Sequence, residues 1–468
     1  MKRIHLITIV VILQFNFLYG QECRCENEFL FVKNYIENNY AGFSDKVNDN
    51  TRPAYLELTE QLLKRSRNTT KESYCWVLIN EWLGFFEDGH IQVRSNFVSA
   101  DIDSARLQEV IAGTEIIELP VSKLETLYES DTVEGIYFNR DSTYKVAVVS
   151  NANEFRDYAA VIISSKTGLW SEGQVKFELK EIDENSFSAI VYYLYHQPYI
   201  ETFTFDGVSF NNGGWTKAGK ELPVRSNDRI PSVSSEILPD DIFYLQIGTF
   251  EEWNAHAIDS VMTHHRDFLT TSPSWIIDVR GNGGGSDFSY RPITPYLYSG
   301  PITVIGTDVL STEENIKNWS VLLDNPHIPD DLMTLLGEIL EKMELNKGEF
   351  VSIVDDDTLT FDEVKPHPER VVVLVDENCA SSTENFLLGA MQSEKVTVMG
   401  KPTAGVLDYA NMRSADFPCY SLRLEYATTR SRRIDLGKGI DNKGITPDIV
   451  LDPEKDWIQQ AVLFLKRY

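Results

Sequence analysis

The spacing of apolar residues changes twice along this chain, and each change marks a different way of burying a hydrophobic face. From Glu26 to Phe86, apolar positions such as Phe29, Val32, Tyr35 and Ile36, then Tyr55, Leu58 and Leu62, recur at steps of three and four. That is the period of amphipathic helices, broken at Asn68-Thr69-Thr70. Between about Val133 and Gly219 the pattern becomes short apolar or alternating runs, as in Tyr144 to Val149 and Val175 to Leu179, separated by Gly, Asn and Asp. This predicts an antiparallel sheet or barrel. From Ile237 onward, strand-like runs (Ile242–Ile247, Trp275–Val279, Val371–Val375) alternate with helical ones (Ala255–Leu269, Ser382–Gln392), the signature of a layered α/β domain. The expected architecture is multidomain α/β: an N-terminal helical domain over 21–125, an antiparallel β module over 126–228 and a layered domain over 229–468. A polar helical insertion is expected at 312–348, and no internal repeat is visible.

Charge narrows the partners. The 468 residues carry 43 Lys+Arg against 71 Asp+Glu, a formal net charge of −28, with no basic run. Such a surface repels phosphate backbones, so nucleic acid is excluded as a partner class. Lys2 and Arg3 precede an apolar stretch from Leu6 to Leu18 that ends at small Gly20. A basic start, a short apolar run and a small residue predict an export signal over residues 1–20. The run is shorter than the roughly 20 residues that span a bilayer. The mature chain is therefore expected in the periplasm or outside the cell, with no transmembrane span. A lipid anchor on Cys23 is the lesser reading, because Gly20, Gln21 and Glu22 lack the usual small-residue approach. Five cysteines in so long a chain do not make a disulfide framework, and the odd count leaves at least one unpaired within a monomer.

Three places carry possible chemistry. The loop Gly281-Asn282-Gly283-Gly284-Gly285 follows an apolar strand, and its glycines let successive N–H groups point at one spot, for a phosphate or an oxyanion. It lacks the Gly-Lys-Ser/Thr ending of a P-loop and the Rossmann glycine spacing. A flexible turn is the plainer reading of the loop alone. Ser381 stands where the Val371–Val375 strand turns into a helix. Ser381 and Glu384 have the spacing of a capping box, yet a serine there also lies beside unpaired N–H donors and the positive end of the helix dipole. A serine hydroxyl needs a base to become a nucleophile. Of eight histidines, His90 has the best context, at a helix-to-strand junction after Gly89.

These segments together resemble the tail-specific (C-terminal-processing) and tricorn-type serine peptidases. The resemblance runs through most of 240–451 and rests on Asp278-Val279-Arg280-Gly281-Asn282-Gly283-Gly284-Gly285, Ala380-Ser381-Ser382-Thr383-Glu384, Gly400-Lys401-Pro402-Thr403-Ala404-Gly405 and Ile440 to Asp448. It implies a ClpP/crotonase-like catalytic domain, with Ser381 as nucleophile and an oxyanion hole from the Ser382 amide and that of Gly283 or Gly284. Two departures stand out. The tail-specific branch places a base lysine just after the Thr-x-Gly turn, where this chain has Val406. The tricorn branch uses a histidine preceded by serine, with a glutamate before the Gly-x-x-Pro-Asp run; here His90 follows Gly89, and Asp441 takes the glutamate's place. A carboxylate that orients imidazole suffices for Ser/His catalysis. No peptide-binding PDZ module is found, and the β module occupies its interval.

The resulting expectation is an exported serine endopeptidase: His90 activates Ser381, Asp441 supports His90, and the substrate is a polypeptide. This chemistry needs neither metal nor organic cofactor. Its rivals are an inactive binding protein on the same fold and an acyl hydrolase using the same site. The oligomeric state is not written in the sequence.

Overall fold

A computed structural model describes residues 23–98, 103–128, 130, 132–220, 232–325 and 330–467. The export signal expected over residues 1–20 lies outside the described residues. Among those described, no helix is long and apolar enough to cross a membrane. The chain forms a multidomain α/β structure with N-terminal helices and separate β-sheet modules.

The period-two region folds into an eight-stranded antiparallel sheet spanning residues 135–217. Six consecutive strands, from Gly135–Asn139 to Pro198–Thr204, lie side by side as a meander. Alternation sends Val146, Val148, Phe177 and Leu179 to one buried face and Ala147, Val149, Ala159 and Val161 to the other. Both faces are covered, which is why several of these strands read as unbroken apolar runs.

The α/β region is built on a six-stranded sheet in which Ile242–Ile247, Ser274–Asp278, Arg370–Val375, Val396–Gly400 and Ile449–Val450 run parallel. Val233–Leu238 adds an antiparallel edge. Helices Ala255–His264 and Ser382–Ala390 pack on one face around Ile258, Phe386 and Leu387, and Trp457–Leu465 packs on the other around Trp457 and Ala461. The single helix expected over Ala255–Leu269 is two pieces, because His265 (φ −93°, ψ 8°) leaves helical geometry before Arg266–Leu269.

A further sheet joins the two ends of the chain. Gln92–Ser95, directly after the N-terminal helices, pairs antiparallel with Leu422–Ser431, which also pairs with Tyr409–Asp416 and Thr307–Leu310. The core of the N-terminal helices is shared with strands of the C-terminal half. Phe29, Val32, Ile36, Leu62, Ile79 and Trp82 share one buried cluster with Tyr409, Leu422, Leu424 and Tyr426. Helices of 12 to 15 residues are marginal alone and take their stability from such packing. The insertion forms helices Glu313–Ser320 and Asp330–Leu345, which cover this sheet through Ile316, Trp319, Ile339 and Met343.

Two disulfides reinforce this region, one within the N-terminal helices and one across the joint. Cys25–Cys75 links the first N-terminal helix to Glu72–Leu83, and Cys23–Cys419 ties the start of the described chain to the turn between Tyr409–Asp416 and Leu422–Ser431. Cys379 is the unpaired thiol and is buried.

Candidate functional site

Parallel neighbours in a sheet deliver their following loops to one edge, where α/β proteins place their sites. The loop after Ser274–Asp278 carries Gly281–Gly285, and the turn after Arg370–Val375 carries Ser381. Hydrogen bonds lock the two together. The Ala380 amide and the Thr383 hydroxyl both donate to the Asn282 carbonyl (3.1 and 3.0 Å), and the Ser382 hydroxyl donates to the Gly285 carbonyl (2.8 Å). A Cβ on Gly284 would stand 2.7 Å from the Ala380 oxygen and 2.9 Å from Ser381 Cβ, so only glycine lets these loops approach so closely.

Ser381 has φ 54° and ψ −121°, a strained backbone for a residue with a side chain. An ordinary N-cap is extended. The capping-box reading explains part of the geometry, since Glu384 Oε2 accepts the Ser381 amide (3.2 Å). It does not explain the rest. Glu384 is fully buried, and its carboxylate also accepts the Thr403 hydroxyl (2.6 Å), the Gly405 amide (2.6 Å) and the Val406 amide (3.0 Å). The Ser381 turn is thereby fastened to the turn after the fourth parallel strand, Val396–Gly400. That turn is fastened in its own right to the last motif. The Ile445 amide donates to Thr403 Oγ1 (2.7 Å), and the Asn442 amide donates to the Gly405 carbonyl (2.9 Å). The four motifs that carried the sequence resemblance form one bonded cluster.

Of the amides expected to face an oxyanion, that of Gly284 already donates to Asn282 Oδ1 (3.0 Å). Those of Gly283 and Ser382 have no protein acceptor among the described residues, the first in an exposed loop, the second in the first turn of a helix.

His90 reaches this region on the turn between the N-terminal helices and the strand Gln92–Ser95. Its amide donates to Asp88 Oδ1 (2.8 Å), while Asp88 Oδ2 accepts the Tyr40 hydroxyl (2.7 Å). Burial raises the Asp88 carboxyl above the usual carboxylate range. The ring nitrogen Nδ1 bonds the Tyr409 carbonyl (2.6 Å). The residue before it, Gly89, faces Val406: a Cβ there would stand 2.9 Å from Val406 Cγ1.

Asp441 is not bonded to His90. Its Oδ2 pairs with the Lys46 ammonium, which also donates to the Glu87 carbonyl (3.4 Å), so Lys46 links Asp441 to the His90 turn. Asp441 Oδ1 is buried without a partner, and burial pushes the carboxyl up to about 6. Asp408 holds the segment in place by accepting the Ile440 and Asp441 amides (2.6 and 2.9 Å). Tyr409 acts through a backbone atom, which no residue pattern signals. For Glu384 the Ser-x-x-Glu spacing was the available clue, and it disclosed only one of four bonds.

The loops thus bring two amides without protein acceptors, those of Gly283 and Ser382, to motifs that meet at a strained serine. Residues 241–451, a little under half of the chain, match the model of peptidase family S41, and through that region the chain is homologous to serine-type peptidases, a class of hydrolases. Among solved structures it is similar to a mutant of CPAF (TM-score 0.50, 13% identity, covering 94% of this chain and 96% of that one). It is also similar to mature CPAF complexed with lactacystin (0.48, 12%, 95% and 97%) and to the photosystem II D1 C-terminal processing protease (0.38, 13%, 92% and 94%). At these identities the first likeness speaks for the fold alone. No curated protein matches the chain.

Proposed function

We propose that this chain is an exported serine endopeptidase in which Ser381 is the nucleophile and His90 the general base, on a ClpP/crotonase-like domain. The observation that carries the reading is the strained Ser381 backbone, held at a helix N-terminus against a glycine loop. Strain of this kind persists only where the surroundings enforce it, and it aims a hydroxyl out of the turn.

A carbonyl oxygen only accepts, so the bond to Tyr409 requires His90 Nδ1 to carry its proton and leaves the Nε2 lone pair to take the Ser381 proton. The Ser381 oxygen attacks the peptide carbonyl, and the amides of Gly283 and Ser382 receive the oxyanion. His90 returns the proton to the leaving amine, and water, deprotonated by the same ring, hydrolyses the acyl-enzyme. Asp441 acts at one remove, as part of a Lys46-linked carboxylate group beneath the His90 turn. Two disulfides fit an oxidising compartment and hence export.

The test is incubation of the chain from residue 21 with an unfolded protein and with a serine-reactive phosphonate, beside Ser381→Ala and His90→Ala. Cleavage and labelling lost in both variants is the expected result. Labelling without peptide cleavage moves the reading to an acyl hydrolase. An unreactive parent overturns it in favour of a binding protein, which the Lys46–Asp441 pairing would then explain.

A further inference from the structure

Gly89 is a glycine without a conformational reason to be one. It is absent from the positive-φ positions, so its backbone is open to any residue. Space supplies the reason. Val406 Cγ1 occupies the position against which a Cβ at 89 would press, at 2.9 Å, closer than real Cβ contacts come. Valine is stiff about its first side-chain torsion and cannot swing clear as a long side chain would.

The two ends of this contact are each fixed to the candidate chemistry. On one side, Glu384 Oε2 accepts both the Val406 amide (3.0 Å) and the Ser381 amide (3.2 Å), so one oxygen atom fixes Val406 relative to Ser381. On the other side, Gly89 lies between Asp88, which accepts the His90 amide, and His90 itself, whose ring bonds the Tyr409 carbonyl. A continuous packed route from the serine turn to the histidine turn therefore runs Ser381, Glu384, Val406, Gly89, His90.

We infer that Val406 and Gly89 are a positioning pair: valine at 406, with no side chain at 89, sets how far the His90 turn stands from Ser381. The inference rests on the Ser381/His90 reading above. Neither residue has a side-chain group that can move a proton. Both act on the distance over which a proton moves, and displacement of about 1 Å at such a distance costs on the order of 100-fold in rate.

The experiment is a double-mutant cycle in the full mature chain: Gly89→Ala, Val406→Ala and the two together. The readouts are phosphonate labelling of Ser381, kcat and KM on an unfolded protein, and the urea midpoint. In Gly89→Ala the added methyl pushes the His90 turn away. Labelling and kcat are expected to fall by about tenfold or more with KM within about twofold, and the double variant to regain most of that loss. Losses that simply multiply in the double variant overturn the inference and leave the peptidase reading standing. So does a cycle that moves the urea midpoint while kcat of the folded fraction stays at the parent value, since that is packing alone. A parent that does not react with the phosphonate sinks the peptidase reading, and this inference with it.

Discussion

His90 Nδ1 and the Tyr409 carbonyl oxygen lie 2.6 Å apart, and this bond joins a residue of the N-terminal third to the first residue of a strand more than 300 positions later. It anchors one ring nitrogen and leaves the other for the proton transfer proposed above. His90→Asn keeps an N–H donor near the position of Nδ1 and removes Nε2. The expected outcome is a melting temperature close to the parent's, with kcat lower by about 10²- to 10⁴-fold, the range assigned to a general base. Calorimetry and steady-state kinetics on the same preparation check both halves.

Glu384→Gln is nearly isosteric, and it is expected to be costly. The two carboxylate oxygens accept four donors, from Ser381, Thr403, Gly405 and Val406, with no exposed surface. An amide group would face at least one of those donors with a donor of its own. Leaving buried partners unmatched predicts a loss of about 2–4 kcal/mol in urea unfolding. Phosphonate labelling of the folded fraction should also slow, because the Ser381 turn loses its tie to the 403–406 turn.

The loops that meet at the candidate site were legible in the sequence, because their motifs are local. Gly281–Gly285 after an apolar strand and Ser381 at a strand-to-helix turn are written in residue types at fixed offsets, and both lie at the C-terminal edge of one parallel sheet. The sheet between chain ends was not legible. Nothing in the period of Gln92–Ser95 names Leu422–Ser431 as its partner, since strand pairing is long-range and the alternation of one strand fits many others. For the same reason the surface that covers the N-terminal helices was not legible either. Their apolar faces announced burial, but Tyr409, Leu424 and Tyr426 as the covering surface came only from the fold. Asp441 was placed by motif position and is found with Lys46, a residue on an early helix that no spacing rule connects to it.

The disulfide Cys23–Cys419 crosses the joint that brings His90 to the α/β half. Cross-linking positions 396 residues apart restricts the unfolded chain strongly, and a native disulfide contributes about 2–4 kcal/mol in typical cases. Cys23→Ser with Cys419→Ser is expected to lower stability by that amount. Limited proteolysis should then cut first near residues 417–421, where the turn between two strands loses its covalent tie. Cys379→Ser, by contrast, should leave both disulfides intact on a non-reducing digest, since its thiol is buried and burial holds it above the usual thiol range.

Asp441 gives the chain a pH dependence whose sign follows from its surroundings. Burial raises its carboxyl to about 6 in the folded chain, against 3.8 for the unperturbed group, in spite of the Lys46 ammonium. Between those values the folded state binds more protons than the unfolded one, so stability rises as pH falls through this window. Above about pH 6 the charged carboxylate, with Oδ1 buried and unpartnered, imposes its full penalty; below about pH 4 the penalty is gone. Asp441→Asn removes this contribution. Relative to the parent, the variant should therefore be favoured more at pH 7.5 than at pH 4.5, and urea titrations of both proteins at the two pH values measure the difference. A variant whose stability tracks the parent's equally at both values would mean that Asp441 titrates as a solvated carboxylate, and that the buried acidic group under the His90 turn does not hold charge in the way its contacts require.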